Sequence, residues 1–251
     1  MIPRDKFGRL SFKTKPIFGM IHLSGNTEKE AIQRANEELD IYEEGGVDGA
    51  ILENYCVEEG RLIRAIKPLK EKSRNLVLGV NVLPNEYVLA FELAKMYHLD
   101  FIQLDYVAGK YTSGSPINKE FYEKAIGTTN AILPIAVLGG VWPKYYNPVV
   151  GSSLEKDLKY GMKMADAIVV TGERTGEETP MEKILRFREI AGDFPLIIGA
   201  GLTVQNARQQ LEVADGAIVG SYFKPEGDIS KMVERHRVMA LMDVVNAARL
   251  K

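Results

Sequence analysis

The chain contains one cysteine, Cys56, so no disulfide can form within it and its stability has to come from buried apolar surface. It has no uninterrupted apolar stretch near the roughly 18 residues of a spanning helix, which excludes helical membrane insertion. It also lacks an excess of charge of either sign. Lys and Arg number 32 and Asp and Glu 34, for a formal net charge of −2, so nothing electrostatic points to nucleic acid or an anionic membrane as a partner. The opening residues Met1-Ile2-Pro3-Arg4-Asp5-Lys6 hold no apolar core of a secretory signal, and with a single thiol the expected location is the cytoplasm. Several chemical signatures are missing as well. No Gly-x-Ser-x-Gly elbow, Walker lysine loop, His-Glu-x-x-His, paired Cys-x-x-Cys or nicotinamide fingerprint occurs.

What is present is a regular alternation. Short runs rich in Ile, Val and Leu fall at 17–22, 50–54, 76–82, 101–106, 133–139, 167–172, 196–200 and 217–221. They show little polar alternation, as expected of parallel strands covered on both faces. Helix-patterned segments lie between and after them, at 27–45, 57–74, 85–98, 116–130, 153–164, 180–191, 204–213 and 229–250. Eight βα repeats without a break in composition predict an α/β fold, a single (β/α)₈ TIM barrel of eight parallel strands spanning 1–251. Helix starts are punctuated by Thr27…Glu30, Ser115-Pro116, Ser152…Glu155 and Thr179-Pro180-Met181-Glu182, all of capping type.

A faint repeat orients the barrel. Asp48, Asp100, Asp166 and Asp215 each stand where a helix gives way to a strand. That is the amino-terminal end of the strand, the face of a TIM barrel that serves stability, so all four are expected to be structural.

The carboxyl ends of the strands carry a different set. Strand one ends at His22, strand two at Glu53-Asn54, strand three at Asn81, strand four at Gln103-Leu104-Asp105 and strand six at Thr171-Gly172. Apolar strands with polar tips are what a barrel enzyme requires, because those tips point into a shared pocket. His22 suits general acid–base work near neutral pH, and Glu53 and Asp105 suit proton transfer or a divalent metal, the one cofactor left open. Asn54 and Asn81 serve either the ligand or the loop backbone. Lys144, in the loop after strand five, is a further catalytic candidate, but no strand interior carries a lysine, so Schiff-base chemistry has little support and only this loop residue to use.

The last two strands run into Gly199-Ala200-Gly201-Leu202-Thr203 and Gly220-Ser221-Tyr222-Phe223-Lys224. Phosphate sites in this architecture are commonly built from the loops after strands seven and eight. Glycine lets backbone N–H groups approach an anion, Ser221 offers a hydroxyl and Lys224 a charge. A loop after strand six, Thr171-Gly172-Glu173-Arg174-Thr175-Gly176, adds Arg174 as a candidate for a carboxylate or phosphate. The aromatic loop containing Trp142, Lys144, Tyr145 and Tyr146 is expected to be a lid, a subunit contact or self-packed.

Gly19-Met20-Ile21-His22-Leu23, Glu53-Asn54, Gly79-Val80-Asn81-Val82-Leu83, the Thr171-Gly172…Thr175-Gly176 pair, Gly199-Ala200-Gly201-Leu202-Thr203…Asn206 and Asp215-Gly216-Ala217-Ile218-Val219-Gly220 together resemble the BtpA family (BtpA/SgcQ), over nearly the whole chain. The resemblance implies a fold like that of the phosphate-binding TIM barrels. Its namesake is implicated in photosystem I biogenesis, and other members lie among sugar-uptake genes. The chain departs from the family pattern where Gln103 and Asp105 replace an arginine and an asparagine. It departs again where Pro84-Asn85-Glu86 replaces Arg-Asn-Asp, and where the Asp…Lys-His set near strand five keeps only Lys144. The expected function is an enzyme on a small phosphorylated metabolite, sugar-phosphate or nucleoside-type, with isomerase, lyase and nucleosidase-like reactions all open. A non-enzymatic assembly factor and a ligand sensor are the alternatives. Self-association is expected, with Val238, Leu241, Met242 and Val245 of the last helix available for it or for packing on the barrel.

Overall fold

The computed structural model describes residues 15–73, 75–114, 117–132 and 135–250, the side chains of 130–132 excepted. Among the described residues eight strands and eight longer helices alternate: β1 (Ile17–Ile21), α1 (Glu28–Gly45), β2 (Gly49–Glu53), α2 (Glu59–Lys72), β3 (Val77–Asn81), α3 (Tyr87–Met96), β4 (Phe101–Leu104), α4 (Lys119–Ile132), β5 (Ala136–Gly140), α5 (Leu154–Met164), β6 (Ala167–Val170), α6 (Met181–Ala191), β7 (Leu196–Ile198), α7 (Ala207–Val213), β8 (Gly216–Val219) and α8 (Arg235–Arg249). Every strand pairs in parallel with the next, and β8 returns to β1 through Phe18 opposite Ile218, closing the barrel. No helix among the described residues is long and apolar enough to cross a membrane.

Register fixes which side chains meet inside. Met20 lies opposite Ile51, Ile51 opposite Gly79, and Gly79 opposite Phe101. Phe18, Met20, Ile51, Phe101, Leu138, Val169, Ile197 and Ile218 form one buried cluster in the lumen. The alternate positions, such as Ile17, Ile21, Leu52, Leu78 and Val80, pack outward into a second cluster with the helices. Both strand faces are therefore apolar, which is why the runs show no alternation. Continuing the inward parity to the strand tips brings His22, Glu53, Asn81 and Asp105 round one side of the mouth and Gly140, Thr171, Gly201 and Gly220 round the other.

The four aspartates at the opposite end have one job. Each accepts the first free N–H of the preceding strand: Ile17 to Asp48, Leu78 to Asp100, Val137 to Asp166 and Leu196 to Asp215, all at 2.8 Å. Arg249, Lys70 and Arg188 neutralise three of them. A buried strand end with an unpaired donor is costly, and these carboxylates remove that cost. The structural expectation holds.

The caps held in part. Thr27 caps α1 by accepting from the N–H of Glu30, and the Glu30 carboxylate reaches back to accept from that of Asn26, one residue before the cap. The cap of α5 is Ser153 rather than Ser152. Thr179 is not a cap: it is buried under the β7 turn, so its hydroxyl donates to the carbonyl of Ala200 and Pro180 takes the cap position. Ser115-Pro116 lies outside the described residues, as do 133–134 at the start of the fifth apolar run. Val238, Leu241, Met242 and Val245 are buried against the barrel, so packing consumes the face that was a candidate for self-association.

Candidate active site at the strand tips

The carboxyl-end mouth opens on a cavity of about 470 Å³. Glu53, Gln103 and Asp105 line it at β2 to β4; Thr171, Gly199, Gly201, Gly220 and Ser221 line it across the barrel at β6 to β8; His22 after β1, and Lys144 and Tyr146 after β5, stand where the two sides join.

Asn81 organises the charged wall. Its side-chain N–H₂ donates to Glu53 Oε1 at 2.8 Å and to Asp105 Oδ1 at 3.4 Å, so one amide spans two carboxyl groups. Tyr146 donates its hydroxyl to Asp105 Oδ2 at 3.2 Å. The Nε2 atom of His22 lies 3.9 Å from Glu53 Oε2, and the edge of its ring meets Tyr55. Three polar atoms here are buried without partners: His22 Nδ1, Asn81 Oδ1 and Gln103 Oε1. Such atoms are rare in folded proteins, and their convergence at one mouth marks a place built for a polar ligand.

Burial sets the protonation. Glu53 is pushed up to about 7, first by desolvation and further by the neighbouring Asp105, against the pull of Lys144 and the Asn81 amide. Asp105 is raised for the same leading reason. His22 is held well below the ordinary imidazole range by burial, then by the positive charges of Lys224 and Lys144. At neutral pH the imidazole is thus uncharged, and the Glu53 carboxyl is divided between its protonated and ionised forms. Groups poised this way can donate or accept a proton without a large free-energy step.

Lys144 reaches the mouth from the loop after β5. Its backbone N–H donates to Thr171 Oγ1 at 2.7 Å, which fixes the loop to β6. Among the described residues its ammonium makes no hydrogen bond or ion pair. The same loop is sorted by the structure: Trp142 turns away and donates to Asp157 at 2.9 Å, whereas Tyr145 and Tyr146 line the cavity. Tyr145 accepts from the N–H of Thr175, so the loops after β5 and β6 are joined over the opening.

The facing wall is mostly backbone. Gly201 has φ of 71°, a left-handed conformation, and a Cβ there would sit 2.1 Å from the carbonyl oxygen of Glu177. At Gly220 a Cβ would lie 2.8 Å from Cε1 of His22, so only glycine lets the β8 turn come so near the imidazole. A short helical turn, Ser221–Phe223, follows directly. The N–H groups of Ser221 and Tyr222 at its start have no acceptor among the described residues, leaving two donors at the rim of the cavity.

Not every candidate reaches the cavity. Lys224 is buried in the opposite direction, 3.2 Å from Glu38 of α1, and also donates to the carbonyl of Ile229. The correction is clear: it supports the β8 turn from beneath and is not placed to touch a ligand. The reason is the turn itself, which rotates residue 224 toward α1. Arg174 is exposed and Gly172 is buried, and neither lines the cavity. Asn54 brackets the backbone of Leu83 with both ends of its amide, at 2.8 and 3.2 Å, and so positions the loop after β3. Among the described residues no group of three His, Cys, Asp or Glu side chains is arranged for a metal. The Asn81 amide nitrogen stands between Glu53 and Asp105, where a shared cation would have to bind. Gln103, named among the polar strand tips, lines the cavity from an inward position on β4, whereas Tyr55, Tyr146 and Thr175 were not singled out as wall residues. Asn85 was missed in a positioning role, bracketing Tyr106 as Asn54 brackets Leu83.

The fold is shared with solved structures of low sequence identity. The (S)-3-O-geranylgeranylglyceryl phosphate synthase of Thermoplasma acidophilum, in complex with sn-glycerol-1-phosphate, superposes with a TM-score of 0.64 at 13% identity, covering 98% of this chain and 99% of that one. An uncharacterised protein of Methanocaldococcus jannaschii is 28% identical over 95% of this chain and 98% of its own length. The photosystem I biogenesis protein BtpA of Synechocystis is 26% identical over 94% and 90%. The family profile matches residues 13–247, and with the barrel and its strand-tip motifs in place the chain belongs to the BtpA family.

Proposed function

We propose that this chain is an enzyme acting on a small phosphorylated metabolite by acid–base chemistry at the barrel mouth. The observation that carries the proposal is the division of one cavity into a protonatable wall and a backbone wall. The turns at Gly199–Gly201 and Gly220–Ser221 receive the phosphate on N–H groups and the Ser221 hydroxyl, and bring no carboxylate that would repel it. The rest of the molecule then extends toward Glu53, Asp105 and the neutral His22. Glu53, titrating near 7, is the proton donor or acceptor, and Asp105 is its electrostatic partner. Asn81 positions both. A solved structure of the same fold holds a phosphorylated substrate, sn-glycerol-1-phosphate, and barrels of this architecture commonly seat a phosphate after strands seven and eight.

An assembly role, to which the name of the Synechocystis relative points, calls for a continuous apolar surface. Away from the mouth, the exposed large apolar side chains are Val88 and Met96 of α3, Phe121 of α4, Val150, Leu185 of α6, Met239 of α8 and Leu250, spread over four helices, a loop and the end of the last helix. The test is thermal stability in a panel of sugar phosphates and nucleotides, with the unphosphorylated compounds as controls. A ligand well above its dissociation constant stabilises by roughly 1–3 kcal/mol. Stabilisation confined to phosphorylated compounds is expected; none at millimolar concentration ends the proposal.

A further inference from the structure

We infer that Lys144 is a covalent amine in this site, forming a Schiff base with the carbonyl carbon of a small phosphorylated aldehyde or ketone. The inference rests on the phosphorylated-substrate reading above and names the reaction class within it.

Four observations converge. Lys144 is the one lysine lining the cavity. Among the described residues its ammonium has no partner, whereas the buried Lys224 is engaged by Glu38. Its backbone is tied to Thr171, and the residues on either side of the Pro143-Lys144 pair, Trp142 and Tyr145, hold φ of 50° and 67°. Two non-glycine residues in left-handed conformation fix the loop in one shape, a kind of strain that clusters at functional sites. Finally, its positive charge acts on the carboxyl groups of Glu53 and Asp105, which line the same cavity. Two carboxyl groups make that end of the cavity a poor seat for a phosphate, which has the backbone wall opposite, and a good one for a neutral carbonyl.

The proton accounting closes with the groups present. The ammonium gives one proton to the Glu53 carboxylate, and the freed amine attacks the carbonyl carbon while the C=O π pair moves to oxygen. That oxygen takes a proton back from Glu53 to give the carbinolamine. The nitrogen loses a second proton to a carboxylate, which returns it to the hydroxyl; water leaves as the nitrogen lone pair forms the C=N bond. Ammonium and carbonyl thus become iminium and water, with charge unchanged and nothing else consumed. The iminium draws electrons from the adjacent carbon, so a C–H or C–C bond there becomes the one that breaks, with Glu53 or Asp105 taking or supplying the proton.

The test is borohydride trapping on the full chain with dihydroxyacetone phosphate, glyceraldehyde 3-phosphate and pyruvate as probes, followed by peptide mass mapping. The expected result is one reduced adduct on Lys144 with a phosphorylated carbonyl, lost in Lys144→Arg and diminished by inorganic phosphate. Lys144→Arg keeps the charge, and a ligand-free thermal melt matching the wild type reports that it is folded. Adducts spread over surface lysines, with Lys144 no richer than they, overturn the inference. If phosphorylated probes stabilise the chain but leave Lys144 unmodified, the Schiff base falls and the phosphorylated-substrate reading stands. A Lys144 adduct with pyruvate and no stabilisation by any phosphorylated compound separates them the other way.

Discussion

The two halves of the barrel mouth obey one parity rule and end differently. On β1 to β4 the last inward positions are His22, Glu53, Asn81 and Asp105; on β5 to β8 they are Gly140, Thr171, Gly201 and Gly220. The first half carries side chains whose protonation burial has shifted, and the second offers backbone. The difference teaches how a symmetric scaffold makes an asymmetric site. A reacting group needs side chains, while an anion is held by N–H groups that a Cβ would keep away.

Four changes would break or sharpen this division. The largest effect should come from below the backbone half. Lys224→Met leaves Glu38 buried and unpaired, an expected loss of about 3–5 kcal/mol in urea denaturation, much of it recovered when Glu38→Leu is added. A ligand-binding lysine would instead weaken phosphate binding with little change in stability.

On the charged half the effect depends on pH. Glu53 has its carboxyl raised in the folded chain from 4.5 to about 7, so folding favours the protonated form. The associated stability is fully present below the unfolded value and is lost as pH rises through about 7. Glu53→Gln cannot lose that proton. It should gain on the wild type by up to about 3 kcal/mol between roughly pH 5 and pH 8 in paired thermal melts, while proton transfer is abolished.

Gly220→Ala tests the contact between the halves. The added methyl would press on His22, with an expected cost of about 1–3 kcal/mol and loss of stabilisation by phosphorylated ligands. The smallest effect belongs to the far end. Asp166→Ala strands the Val137 N–H for about 1–2 kcal/mol and should leave ligand affinity unchanged by calorimetry. A change in affinity there would undo the separation of stability face from mouth.

The sequence carried the fold well and the site unevenly. His22, Glu53, Asn81 and Asp105 were legible because each sits at an even spacing from a lumen residue of its own strand. Lys224 was misread because a glycine turn followed by a lysine looks like an anion site in one dimension. The helical turn at Ser221–Phe223 swings it to Glu38 instead, 186 residues away. Arg174 stands exposed outside the cavity lining, a position the sequence could not give, since loop residues have no periodicity to say which way they point. Tyr146 and Thr175 were read only as parts of their loops for the same cause. Asn54 and Asn85 revealed their roles only once the neighbouring loops lay beside them.

The order of apolar runs, their burial on both faces and the polar residues at their carboxyl ends determined the barrel and one end of it as the mouth, because strand periodicity is a local property of the chain. Which groups touch was decided only when the sheet closed. The amide of Asn81 lies 28 residues from Glu53 and 24 from Asp105, and no local pattern links them. Closure brings the tips together, excludes water from them and thereby shifts their protonation. Desolvation is a property of the assembled cavity, which no single segment of the chain contains.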